Sequence, residues 1–239
     1  MRRFITYFDL LGYRNFLTRN DSDLHFRVIN QMYTQIDSAL NENGNYRRLE
    51  NGNFVNDLSG IKVSFVNYSD TVVLWTEGDS DEEFEAIFNA TFECNWRMNK
   101  LHFPVRGVLI YDELFPINYT LPEGGYNIAT FFGKGLIHAH DKAENQNWAG
   151  MFLDQSIFEK IEINDNIRNK CVEYEIPFKD GRKNQLAFRL GTNISEESFK
   201  NGSVNIDNNF KRHDKWDDIS SLKQKLYNTI EFLKFLINK

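Results

Sequence analysis

The sequence predicts an α+β domain built on a split-βαβ, ferredoxin-like sheet. β-rich runs and helical stripes follow one another as β-α-β-β-α-β, then α-β and a late hairpin. Short polar segments separate the paired β runs, and no Pro/Ser-rich linker or internal repeat divides the 239 residues. The chain is therefore read as a single domain, 1–239, with its helices on one face of the sheet.

The elements are justified in order. Arg3–Phe8 is apolar and β-rich, it ends at Asp9, and Gly12 supplies a turn. A helix is expected from about residue 22, because Ile29, Met32, Ile36 and Leu40 recur at helical spacing until Asn43-Gly44. The Asn/Gly-rich stretch 41–57 reads as an exposed loop. Ile61–Val66 and Thr71–Trp75 flank Asn67-Tyr68-Ser69-Asp70, the pattern of a hairpin. Ser80 with Glu83 makes a capping box, and the helix it opens carries Phe84, Ile87, Phe88, Thr91, Cys94, Met98 and Leu101 in one stripe.

Pro104–Tyr111 is a further strand, residues 114–127 read as a Pro/Gly loop, and Ile128–Phe132 returns to β before Gly133 and a helix over 134–145. Met151–Asp154 is a short strand with a helix across 155–161. Val172–Phe178 and Gln185–Leu190 bracket Lys179-Asp180-Gly181-Arg182 as a second hairpin. Residues 192–216 are polar and expected to be irregular, and a last helix carries Leu222, Leu226, Ile230, Leu233 and Ile237.

Composition excludes several function classes. At 41% hydrophobic and 15% aromatic the chain is not a disordered one. Its 28 Lys+Arg against 34 Asp+Glu leave a formal charge of -6, which disfavours a nucleic-acid binder that must displace counterions from phosphates. No apolar run reaches the roughly 18–20 residues of a membrane span. Asp9 interrupts the N-terminal segment too early for a signal peptide. Cys94 and Cys171 are alone and far apart, so neither a disulfide framework nor a cysteine zinc site is expected. The expectation is a soluble, cytoplasmic protein with no nucleic-acid or membrane partner.

Two acidic residues carry the chemical argument. Asp9 ends the first strand, Asp70 lies in the hairpin turn, and in a split-βαβ sheet those two strands are neighbours, so the carboxylates can converge. Mg²⁺ keeps most of its waters and takes one or two carboxylates plus substrate phosphates, which is what such a pair offers. The helix after Gly12 would direct free N–H groups to the same place, suiting a polyphosphate. Taken singly, Asp9 also reads as a helix cap and Asp70 as a turn aspartate.

Four segments in this order resemble the class III nucleotidyl cyclases. Phe8-Asp9-Leu10-Leu11-Gly12-Tyr13 resembles their first metal motif and Tyr68-Ser69-Asp70-Thr71-Val72-Val73-Leu74 their second. Arg106-Gly107-Val108-Leu109-Ile110-Tyr111 resembles the next core strand, and Phe132-Gly133-Lys134-Gly135-Leu136 through Ala139 the segment with their ribose and transition-state residues. The resemblance spans about residues 3–190, leaving 191–239 as a C-terminal extension. It implies two Mg²⁺ or Mn²⁺ ions per site held by Asp9, Asp70 and the Leu10 carbonyl, a nucleoside triphosphate substrate, and a homodimer with sites at the interface. Lys179 falls where these enzymes carry a triphosphate-binding lysine, expected to act across that dimer; it also reads as a solvated turn lysine.

The departures narrow the substrate. Purine cyclases usually read the base with a lysine four residues before the second aspartate and an aspartate three before the glycine; here those places hold Val66 and Thr130. With Tyr68 on the same strand face, this hydroxyl-lined reader is similar to that of the Pycsar pyrimidine cyclases of bacterial anti-phage defence, whose products are cyclic UMP or cyclic CMP. Tyr68 equally reads as a cross-strand packing aromatic. The Asn and Arg that purine cyclases place on the following helix align with Ile137 and Asp141, so Lys134, His138 or Lys142 would take over their roles; His138 also reads as a plain surface histidine. UTP is the expected substrate. CTP, a purine nucleotide, or a catalytically silent nucleotide sensor are the alternatives.

Overall fold

In the computed structural model every residue is described except 42–43, 102, 121–126, 192–194, 218–219 and 238–239. The chain runs β1 (Arg2–Leu10), α1 (Tyr13–Arg19), α2 (Ser22–Leu40), β2 (Tyr46–Arg48), β3 (Phe54–Asn56), β4 (Val63–Tyr68), β5 (Thr71–Thr76), α3 (Asp81–Leu101) and β6 (Val105–Glu113). It continues through β7 (Phe115–Thr120), β8 (Asn127–Phe132), α4 (Lys134–Glu144), β9 (Gly150–Leu153), a 3-10 turn at Gln155–Glu159, α5 (Asp165–Lys170), β10 (Cys171–Phe178) and β11 (Gly181–Phe188). α6 (Glu196–Lys211), a second 3-10 turn at Arg212–Asp214 and α7 (Ser220–Leu236) complete it.

Seven strands form one sheet in the order β10-β11-β9-β6-β1-β5-β4. All neighbours are antiparallel except β6 and β9, the pair joined through α4. β1 lies inside the sheet between β6 and β5, buried on both sides. Phe4, Phe8 and Leu10 enter one core with Met32 and Ile36 of α2 and Phe84, Phe88 and Met98 of α3. Ile5, Tyr7 and Leu11 enter a second core with Ala139 of α4, Phe210 of α6 and Phe232 of α7. Each fully buried phenylalanine contributes about 2 kcal/mol of transfer free energy. Helices thus cover both faces, a correction to the expectation of one, and the apolar residues of β1 on alternate sides are the reason.

The α+β class, the hairpin around Ser69-Asp70, the capping box and the late hairpin are as expected. Ser80 Oγ accepts from Glu83 N while Glu83 Oε2 accepts from Ser80 N. Local assignments differ elsewhere. Within 41–57, β2 and β3 pair as a small hairpin. Part of the 114–127 segment is β7, paired with β8, while residues 121–126 of that loop and Asn43 lie outside the described residues. Within 192–216, residues Glu196–Lys211 are helical rather than irregular, while 192–194 lie outside the described residues: α6 is capped by Ser195, and Phe199, Gly202, Ile206 and Phe210 recur at helical spacing along it. Short helices α1 and α5 go beyond what periodicity indicates, since neither is long enough to show a stripe. No helix among the described residues is long and apolar enough to cross a membrane.

Candidate active site

β1 and β5 are adjacent and antiparallel, with Asp9 opposite Thr71, so Asp9 and the Ser69-Asp70 turn meet at one end of the sheet. Leu10 N donates to the Asp70 carbonyl at 2.8 Å. The turn is braced from behind: Asn67 Nδ2 donates to the carbonyls of Ser69 (3.2 Å) and Thr71 (2.9 Å), and Tyr33 Oη donates to Asn67 Oδ1 at 2.9 Å. Tyr7 Oη and Thr71 Oγ1 lie 3.1 Å apart. Ser69 takes a φ of 57°, a left-handed conformation that a tight two-residue turn demands. Beyond β1, Gly12 has a φ of 79° and lies against Lys215, leaving no room for a Cβ there.

Asp9 is largely buried, its side chain 14% exposed. Arg106, directly across from it on β6, contacts its Oδ2 through Nε at 2.9 Å and through a terminal nitrogen at 2.7 Å. Burial pushes the Asp9 carboxyl above its usual range, the Arg106 charge opposes this, and the Asp70 charge adds to it. Among the described residues no side chain bonds Asp9 Oδ1 or either carboxylate oxygen of Asp70. Two carboxylates whose charges repel, on residues that meet at one end of the sheet and with oxygens that no described side chain bonds, suit a hard cation that brings its own waters. No group of three or more His, Cys, Asp or Glu suited to a metal is found among the described residues, so an all-protein cage is not what is built.

Arg106 also reaches α4, bonding the Glu144 carboxylate and, at 3.1 Å, its carbonyl. Glu144 in turn accepts from Lys179 Nζ at 3.2 Å. Lys179 N donates to the Asn145 carbonyl, which fixes the late hairpin beside this cluster. Asp9, Arg106, Glu144 and Lys179 therefore form one chain of charges within a single protomer. The sequence reading placed Lys179 near the triphosphate but missed Arg106 and Glu144 as members of the site. The signal was present, because an arginine inside the apolar run Val105–Tyr111 needs a buried partner.

α4 begins where only glycine fits. Gly133 has a φ of 152°, and a Cβ at Gly135 would come within 2.5 Å of Ile5 Cδ1. The three α4 candidates are engaged with carboxylates: Lys134 with Glu113 (4.0 Å), His138 Nδ1 with Asp112 (2.6 Å) and Lys142 with Asp154 (2.7 Å). None is brought to Asp9. His140 instead stands edge-on to Tyr7 at 5.7 Å between centroids.

Ser64, Val66 and Tyr68 pair with Trp75, Val73 and Thr71, so they share the Asp9 face of the sheet. Val66 and Thr130 line one cavity of about 360 Å³ with Ser64, Trp75 and Phe131. No charged side chain lines it, and the buried Trp75 indole N–H has no hydrogen-bond partner. Tyr68 lies outside this cavity at the hairpin end, 81% exposed. A larger cavity of about 890 Å³ lies by β10 and β11, against Phe158 and Phe235 and away from the acidic pair. Charge and convergence, rather than volume, locate the site.

A mostly antiparallel seven-stranded sheet with Asp9 and Asp70 at one end and helices on both faces defines an α+β fold shared with nucleotide cyclases of known structure. Two structures of a bacterial light-regulated adenylyl cyclase align with 87% of this chain at 8% identity, with TM-scores of 0.51 and 0.52. The chain spans 57% of the length of that protein. The adenylyl cyclase CyaB from P. aeruginosa aligns with 79% of this chain and 93% of its own, at 11% identity and a TM-score of 0.47. At such identities the likeness is one of fold. No family model and no curated protein matches the sequence.

Proposed function

We propose that the protein is a nucleotidyl cyclase that converts UTP to 3′,5′-cyclic UMP and pyrophosphate. The observation that carries the reading is the meeting of Asp9 and Asp70 at one end of a cyclase-type sheet, with unbonded carboxylate oxygens on both. Asp9, Asp70 and the Leu10 carbonyl would hold two Mg²⁺ or Mn²⁺ ions, which when bound supply a lowered pKa for the ribose 3′-OH and a counter-charge for the triphosphate. Asn67 and Tyr33 hold the Asp70 turn in place for that purpose. The ribose 3′-hydroxyl would lose its proton to solvent, and its oxygen would form a bond to the α-phosphorus as the bond from that phosphorus to the α–β bridging oxygen breaks, the bridging oxygen leaving with the pyrophosphate. Arg106 and Lys179 supply positive charge where the departing pyrophosphate gains negative charge. In this reading Lys179, which bonds Glu144 beside Arg106, acts with that cluster, and the across-dimer role implied by the resemblance stays open to the same test.

The uncharged cavity supports a pyrimidine. Uracil presents two carbonyl acceptors, and the Thr130 and Ser64 hydroxyls are donors without charge. Tyr68, exposed beside Asp70, is proposed to meet the base across a homodimer, and such a protein would serve as the messenger-producing half of a Pycsar-type anti-phage pair. The deciding experiment incubates the purified protein with each of the four ribonucleoside triphosphates and Mn²⁺ or Mg²⁺ and identifies products by mass. Cyclic UMP is expected. Cyclic CMP or a cyclic purine would reassign the base pocket, and no product with any nucleotide would leave a silent sensor.

A further inference from the structure

α7 turns Lys225, Asn228, Thr229 and Phe232 inward, at i, i+3, i+4 and i+7. Asn228 Nδ2 donates to the Asn147 carbonyl at 2.6 Å, and Thr229 Oγ1 accepts from Ala149 N at 2.7 Å. Those bonds seat the helix on the segment that enters β9, whose Gly150 lies beside Arg106 in the sheet. One turn earlier, Lys225 is only 8% exposed. Among the described residues its ammonium has neither a hydrogen bond nor an ion pair, although Arg106, Lys179 and Asp9 are all near enough for their charges to act on it.

Arg106 and Lys179 are ion-paired with Asp9 and Glu144, whereas Lys225 makes no ion pair among the described residues. Burial lowers its pKa to about 8, and the two neighbouring cations push in the same direction. A lysine side chain this largely buried, with no hydrogen bond to its ammonium, gains stability when an anion reaches it. The anion with matching chemistry is one that carries several charges and accepts from more than one cation at once.

We propose that Lys225 joins Arg106 and Lys179 in a diphosphate-binding subsite beside Asp9, contributed by the C-terminal helix. The cyclase reading supplies the source of that group, the β- and γ-phosphates of the substrate or the released pyrophosphate; the residues themselves do not depend on it.

The test is calorimetric titration of inorganic pyrophosphate into the full-length wild type, Lys225→Met and Lys225→Arg, with Mg²⁺ present, alongside melting curves. Lys225→Met is expected to weaken pyrophosphate binding by about tenfold or more, as loss of a charge-assisted bond does. Its melting temperature should equal or exceed that of the wild type, since an unpaired buried charge has gone, and Lys225→Arg should retain most of the affinity. Unchanged pyrophosphate affinity in Lys225→Met, or a clear drop in its melting temperature, would overturn the subsite. A wild type that binds pyrophosphate through Lys225 yet forms no cyclic nucleotide would keep the subsite and remove the cyclase reading. An active cyclase whose pyrophosphate affinity and KM ignore Lys225→Met would do the reverse.

Discussion

Both contacts from Arg106 to Asp9 fall on the same carboxylate oxygen, Oδ2, at 2.9 and 2.7 Å. The guanidinium therefore positions Asp9 and offsets part of its burial cost, and among the described residues no side chain bonds Oδ1. An arginine that bridged both oxygens would close the site to a cation. The one-sided contact lets a single aspartate be both a buried structural partner and a donor for a ligand.

Asp70→Asn is expected to reduce cyclic-nucleotide formation to background while changing unfolding free energy by no more than about 0.5 kcal/mol. The Asp70 carbonyl that accepts from Leu10 N belongs to the backbone and survives the change. Product assays beside urea melts check this, and wild-type turnover would remove Asp70 from the metal assignment.

Arg106→Met is expected to destabilise the fold by about 3 kcal/mol, because Asp9 is left buried without its counter-charge. The loss has a sign in pH. The Asp9 carboxyl already sits above its usual value of 3.8, so its ionisation costs stability as pH rises through the folded-state pKa. Without Arg106 that pKa moves further up. Denaturant unfolding at pH 5 and pH 8 should show the variant nearer to the wild type at the lower pH.

Tyr68→Ala should leave stability within about 0.5 kcal/mol of the wild type, as befits a side chain 81% exposed. If Tyr68 meets the base, the ratio of kcat/KM for UTP to that for the other nucleotides falls while the Mn²⁺ dependence stays the same. An unaltered nucleotide profile would return the residue to the surface.

Lys215 gives a pH dependence unconnected with the reaction. Its ammonium, buried over the Phe103 ring and 3.3 Å from Asn209 Oδ1, has a pKa lowered by burial to about 7 from 10.5. Between those values the unfolded chain holds a proton that the folded chain has shed, so stability rises with pH. Chemical melts at pH 7 and 9.5 should show the wild type more stable at the higher value. Lys215→Met should flatten the slope, leaving the smaller rise due to Lys225, whose pKa is lowered to about 8.

Much of the fold was legible because its signals are local. The capping box at Ser80 and Glu83, the stripe from Phe84 to Met98, and the β runs around Ser69-Asp70 each reside within one segment. α6 was misread because its polar residues outnumber its apolar ones, and Phe199, Ile206 and Phe210 count only once a sheet face is there to receive them. The second helical layer followed the same logic: β1 is apolar at every position from Phe4 to Phe8 except Thr6, and that pattern needed to be taken as burial on both sides.

By itself the sequence determined most strands of the large sheet, the helices α2, α3 and α7, and that Asp9 and Asp70 stand at adjacent strand ends, since those properties rest on spacing and side-chain type over a few residues. Only the tertiary structure decided that Arg106 faces Asp9, that Lys179 belongs to the same cluster through Glu144, and that Lys225 is largely buried with no partner for its ammonium among the described residues. The physical reason is range: a charge's environment is set by whatever the fold brings within a few ångströms of it, and residues 9, 106, 144, 179 and 225 come from five separate stretches of the chain.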